Sequence, residues 1–121
     1  MSESRDLVVI ITKGAHDEMA SVGLTMACGG MTAGMKVMIF LSGPGVEIAL
    51  ANRINLVESK PLDPLKMLVD DFLARGGQLL VCTPCAKARG LEQSDFVEGS
   101  VVSGAGPMHE LIKNGAGTIS L

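Results

Sequence analysis

Residues 7–12 read Leu-Val-Val-Ile-Ile-Thr, and this stretch decides the fold class. An unbroken apolar, β-branched run with no polar alternation fits a strand covered on both faces, as in a parallel sheet. Lys13-Gly14 breaks it. Asp17 is then placed to cap a helix passing through Met19, Val22 and Met26. Ala20, Ser21, Gly23, Ala27 and Cys28 give that helix small residues that admit another backbone closely, and the glycines near its end stop it before Met35.

The same alternation continues along the chain. Residues 37–41 (VMIFL) read as a second buried strand, closed by Ser42-Gly43-Pro44-Gly45, with a short helix expected from residue 46 to about 52. Asp63 and Pro64 read as the N-cap and first residue of a helix. Its Leu65, Leu68, Val69, Phe72 and Leu73 form a core-facing stripe, and Gly76-Gly77 ends it. Residues 79–81 make a third strand, ended by Cys82-Thr83-Pro84-Cys85, with a short helix over residues 86–90. Residues 100–102 make a fourth strand, followed by Gly104-Ala105-Gly106-Pro107. Pro107 opens a helix that turns Met108, Leu111 and Ile112 inward, Asn114-Gly115 closes it, and residues 118–121 form a last strand. Strand and helix alternating to the end define an α/β protein with a parallel sheet. No internal repeat or linker divides residues 1–121, which read as one domain.

Composition narrows the function. The chain has 121 residues, a net charge of −3 and three Phe as its only aromatics, with no Trp or Tyr. A pI near 5.3 and no basic run give no electrostatic footprint for nucleic acid. So few aromatics offer no stacking platform for bases. Mean hydropathy of +0.38 excludes a disordered chain. Residues 19–35 are uncharged, but glycines dilute them and they fall short of a membrane span. With no targeting signal and an odd number of cysteines, the chain reads as cytoplasmic rather than secreted.

In an open α/β sheet, ligands and chemistry gather at the carboxyl ends of the strands. The Cys82-Thr83-Pro84-Cys85 segment lies at such an end and opens a helix. A helix N-terminus favours thiolate, and Lys87 and Arg89 lie close with no acidic residue before Leu91. Cys82 is therefore expected to be a better nucleophile than a free cysteine. Buried structural cysteines, a zinc site and a thioredoxin-like redox pair remain open alternatives. Zinc lacks a second ligand pair, because Cys28, His16 and His109 are scattered. The redox motif would ordinarily follow an early strand and precede a long helix. Gly43-Pro44-Gly45 and Gly104-Ala105-Gly106 are possible anion-binding loops, although neither completes a phosphate-binding motif. His16 reads as a solvated loop residue, His109 as structural and Cys28 as packing. No metal or cofactor is expected.

The run Cys82-Thr83-Pro84-Cys85-Ala86-Lys87-Ala88-Arg89-Gly90-Leu91 resembles the DsrE/DsrF-like family of small sulfur-handling proteins, which includes YchN-like and TusD-like members. Members carry a cysteine at the end of the third strand, eight residues before a glycine that follows Arg; Cys82 and Arg89-Gly90 match. The loop ending Gly45-Val46 matches as well. The resemblance implies a three-layer α/β/α fold with a five-stranded parallel sheet ordered 4-3-2-1-5. It implies a Cys82 that accepts sulfur as a persulfide and relays it to a partner such as a small sulfur-carrier protein. It also implies a trimer or hexamer. Cys85 is an addition shared with YchN-like members; it implies an auxiliary thiol and leaves disulfide chemistry open.

Overall fold

In the computed structural model, which describes residues 5–54, 57 and 59–121, the first apolar run is β1 (Asp6–Ile11). It pairs on one side with β2 (Lys36–Leu41) and on the other with β5 (Gly117–Ser120). Beyond β2 come β3 (Gln78–Cys82) and the edge strand β4 (Ser100–Ser103). Every pairing is parallel, and the order is β4-β3-β2-β1-β5, as expected from the family resemblance.

The two faces of the sheet are covered unequally. One face carries α1 (Glu18–Thr32), α2 (Leu65–Ala74) and α3 (Thr83–Ala88), which close over a core that includes Val9, Ile11, Ile39, Leu41, Leu79 and Phe72. Among the described residues the other carries only α4 (Gly106–Lys113), whose Met108 clusters with Val8, Met38, Phe40 and Leu80. Fully burying one such side chain contributes roughly 1.5–3 kcal/mol, so the larger cluster dominates stability.

The Asp17 carboxylate accepts the Met19 N–H at 2.9 Å, the cap read from the sequence. The small residues of α1 serve packing within the chain. A Cβ on Gly23 would strike Ile11 and Leu121, and one on Gly30 would strike Leu7.

Several boundaries differ from expectation. The turn after β2 is a 3-10 helix over Gly43–Ala49, starting three residues early, because Gly43 at φ 55° turns the chain directly out of the strand. Pro64, not Asp63, is the N-cap of α2; its extended backbone delays the helix to Leu65, and no side-chain cap bond forms. Conversely α3 begins at Thr83, not at residue 86, because Pro84 needs no partner for an N–H in the first turn. Ile112 is 37% exposed rather than inward. Met108 and the half-buried Leu111 use the width that this short helix can cover.

One element was not foreseen. A 3-10 turn over Gln93–Asp95 places the Gln93 amide against the outer edge of β4. Its Nε2 donates to the Ser100 carbonyl at 2.9 Å, and its Oε1 accepts the Val102 N–H at 2.8 Å. The side chain thus stands in for a neighbouring strand, one way of blunting an edge that would otherwise recruit another chain. Gln93→Ala is expected to lose about 1–2 kcal/mol, since a typical hydrogen bond contributes about 1 kcal/mol. Urea unfolding should show a lower midpoint with an unchanged slope.

Candidate functional site

Three strand ends lie side by side: Ser42 after β2, Cys82 ending β3, and Ser103, which stands opposite Cys82 in the β3–β4 register. Cys82 is the N-cap of α3, and Cys85 lies three residues on in its first turn. Cap and third helical residue point the same way, which is why two intervening residues bring the thiols together. The two thiols lie close enough for each to perturb the other's ionisation, and both cysteines are half-buried and free.

A second contact comes from the neighbouring strand end. The Gly43 N–H donates to Cys85 Sγ at 3.1 Å. Gly43 is fitted to this role by its positive φ, which a side chain would strain. Gly45 is fitted by close approach: a Cβ there would fall on the Ile11 carbonyl oxygen and lie 3.0 Å from its carbon.

These contacts separate the thiols. The hydrogen bond from Cys82, then the Gly43 N–H, and to a lesser degree the Arg89 charge hold the Cys85 pKa below the ordinary thiol range. Cys82 is pushed up, first by desolvation and next by the hydrogen bond that it makes to Cys85. The Cys85 N–H draws Cys82 down, but not in the geometry of a side-chain cap bond. The first proton therefore leaves the pair from Cys85, and Cys82, expected from the sequence to be more acidic than a free cysteine, is less so. The cause is a donor from another loop, together with an α3 of six residues, too short for its dipole to dominate.

Arg89 stays near the pair, its guanidinium donating to the Cys85 carbonyl at 3.1 Å. Lys87 does not contribute to either thiol shift. It is exposed and lines a groove of about 560 Å³ with Thr83, Leu91, Gln93 and Val102.

The glycine loops divide. In the first, the Gly43 N–H goes to Cys85, the Gly45 N–H goes to the Ser42 carbonyl, and Pro44 has none. That loop holds a sulfur and keeps no N–H of these three for a separate anion. Gly104 and Gly106 have open space around them, neither strained nor crowded. His16 is exposed in the loop after β1, with β2 between that strand and β3. His109 is exposed on α4. Cys28 packs on the larger core and donates its thiol hydrogen to the Leu68 carbonyl at 3.7 Å. Among the described residues no three His, Cys, Asp or Glu side chains gather as a metal site. No described helix is long and apolar enough to cross a membrane.

A parallel five-stranded sheet in this order, with a cysteine ending the third strand, defines a class of small α/β proteins. The sequence matches the DsrE/DsrF-like family over residues 5–121, and the chain belongs to that family. It is 34% identical over 105 residues to an uncharacterised protein of Methanocaldococcus jannaschii, covering 86% of each chain. An uncharacterised protein of Methanopyrus kandleri is 28% identical, with 88% of this chain and 83% of the other covered. Among solved structures, the YchN protein from E. coli superposes with a TM-score of 0.79 at 12% identity, over 98% of this chain and all of the other. A protein of unknown function from Methanobacterium thermoautotrophicum gives 0.72 at 19% identity, again over 98% and 100%. At these identities the two structures speak for the fold alone.

Proposed function

We propose that the protein is a sulfur carrier that takes up sulfur as a persulfide on Cys82 and hands it to a partner. The supporting observation is the Cys85 sulfur held by the Gly43 N–H at 3.1 Å, one helical turn from Cys82 at the strand end, in a family associated with sulfur handling. Cys85 as thiolate sits where it can take the Cys82 proton. Cys82 sulfur then attacks the terminal sulfur of a donor persulfide. A new S–S bond forms on Cys82, the donor's S–S bond breaks, and the donor sulfur leaves as thiolate. Delivery to an acceptor thiolate reverses these steps, with no net oxidation. Free cysteines suit a reducing cytoplasm, and the working form in this reading is a homo-oligomer, trimeric or hexameric, that meets a small sulfur-carrier protein.

Intact-protein and peptide mass spectrometry after exposure to a persulfide donor tests this. The wild type and Cys85→Ser are expected to gain one sulfur atom, mapped to Cys82, and Cys82→Ser none. Equal uptake by Cys82→Ser would sink the assignment.

The contact between the two thiols favours one other reading, thiol–disulfide or peroxide reduction. There the Cys85 thiolate attacks the oxidised substrate, Cys82 condenses with it to a disulfide, and an external dithiol restores the pair. This reading requires an isolable Cys82–Cys85 disulfide and equal dependence on both cysteines.

A further inference from the structure

A carrier that only accepts sulfur and hands it on needs one thiol, and a second thiol beside the load can discharge it. Here the second is fixed in place. Cys85 packs against the larger core, its sulfur accepts the Gly43 N–H at 3.1 Å, and its carbonyl accepts the Arg89 guanidinium at 3.1 Å. Cys82 is the N-cap of the same short helix and packs against the smaller cluster, and both thiols are free. The two intervening residues give the Cys-X-X-Cys spacing, at which two thiols can interconvert with a disulfide.

Loading leaves Cys82 as a persulfide with two sulfurs open to attack. Attack by Cys85 on the terminal sulfur would expel the Cys82 thiolate and merely move the load. Attack on Cys82 Sγ expels hydrosulfide. The less basic leaving group departs faster. Hydrosulfide is the anion of a stronger acid than an alkyl thiol, and desolvation pushes the Cys82 thiol higher still. Placement agrees, because Cys82 Sγ is the sulfur that the fold itself holds one helical turn from Cys85. We propose that Cys85 discharges the Cys82 persulfide within the chain, so that the protein reduces persulfide sulfur to hydrosulfide, a second fate for the sulfur that rests on the carrier reading above. The proton that Cys85 took during loading passes to the departed donor thiolate. Cys85 sulfur then bonds to Cys82 Sγ, the bond from Cys82 Sγ to the terminal sulfur breaks, and that sulfur leaves with its hydrogen as hydrosulfide. The cysteine sulfurs together lose the electron pair that the transferred sulfur gains. An external dithiol reduces the Cys82–Cys85 disulfide and readies the pair.

Anaerobic incubation with a persulfide donor whose terminal sulfur is isotopically labelled, with no acceptor present, tests this by mass spectrometry and sulfide assay. The wild type is expected to gain one sulfur atom at Cys82 and then lose it, ending as the Cys82–Cys85 disulfide with one labelled hydrosulfide per chain. Added dithiol should let release continue over many turnovers. Cys85→Ser should load more slowly, keep its sulfur and release none. A wild type that holds its sulfur as long as Cys85→Ser does, with no disulfide, would overturn release and leave the carrier reading standing. Labelled sulfide formed through a mixed disulfide of the donor with Cys85, with no sulfur ever on Cys82, would overturn both. If Cys85→Ser does not fold, the wild type alone decides: hydrosulfide and disulfide appearing in equal amounts as the Cys82 persulfide decays support release, and a persulfide that persists without either overturns it.

Discussion

Gly45→Ala is expected to destabilise the protein by about 3 kcal/mol and to raise the Cys85 pKa toward the ordinary thiol range in the molecules that remain folded. The first effect follows from crowding against backbone. A Cβ at Gly45 would overlap the Ile11 carbonyl oxygen. Overpacking costs typically 1–3 kcal/mol, occasionally more, and a carbonyl within a sheet yields less readily than a side chain. The second effect follows from connectivity. Gly43 and Gly45 belong to one 3-10 turn, so moving Gly45 away from β1 also moves the Gly43 N–H that holds the Cys85 sulfur. Gly104→Ala is the matched control, because nothing lies within 4 Å of its added methyl. Its stability should change by no more than about 0.5 kcal/mol. Denaturant unfolding and the pH profile of Cys85 alkylation, measured on both variants, check the prediction. Wild-type stability in Gly45→Ala, or an unmoved Cys85 profile, would show that the turn does not couple fold to site.

The strands and helices were legible because their signals are local. Residues 7–12 and 37–41 are apolar without alternation, and the stripe from Leu65 to Phe72 has the helical period, so tertiary packing had little to override. The strand order came from the likeness to a family, since no local signal carries it. Boundaries near Pro64 and Pro84 moved in opposite directions, because proline both fits a first helical turn and tolerates an extended cap. Gln93 gave no sign of its role, which depends on where β4 comes to lie. At the site, the cysteine pair and the Gly-Pro-Gly loop were each visible, but their contact was not. The donor to Cys85 lies 42 residues away in sequence. Hence helix and charge effects alone point to an acidic thiol at the strand end, while the adjacent loop lowers Cys85 and Cys82 is pushed up.

Cys85→Ser is therefore expected to move two pH profiles in opposite directions. In the wild type the two thiols titrate as a coupled pair. The first proton leaves below the ordinary thiol range and the second above it, the first favoured at Cys85 and the second resisted at Cys82. Serine removes the low-pKa partner. Sulfur uptake by Cys82, which in the proposed mechanism gives its proton to the Cys85 thiolate, should then lose that proton acceptor. Its rate at pH 7 should fall several-fold, and its midpoint should rise toward the ordinary thiol range. Alkylation that reports the ionisation of Cys82 itself should shift the other way. The Cys85 thiol no longer draws the Cys82 proton and its negative charge no longer opposes a second, so the Cys82 midpoint should come down. Desolvation still acts on Cys82, so the two profiles are expected to approach one another in the variant and to coincide once uptake depends on Cys82 ionisation alone. Site-resolved alkylation and sulfur uptake, each measured across the thiol pH range in wild type and variant, give the comparison. An unchanged uptake rate at pH 7 would remove Cys85 from proton transfer. A Cys82 midpoint that stays high would assign its shift to burial rather than to its partner.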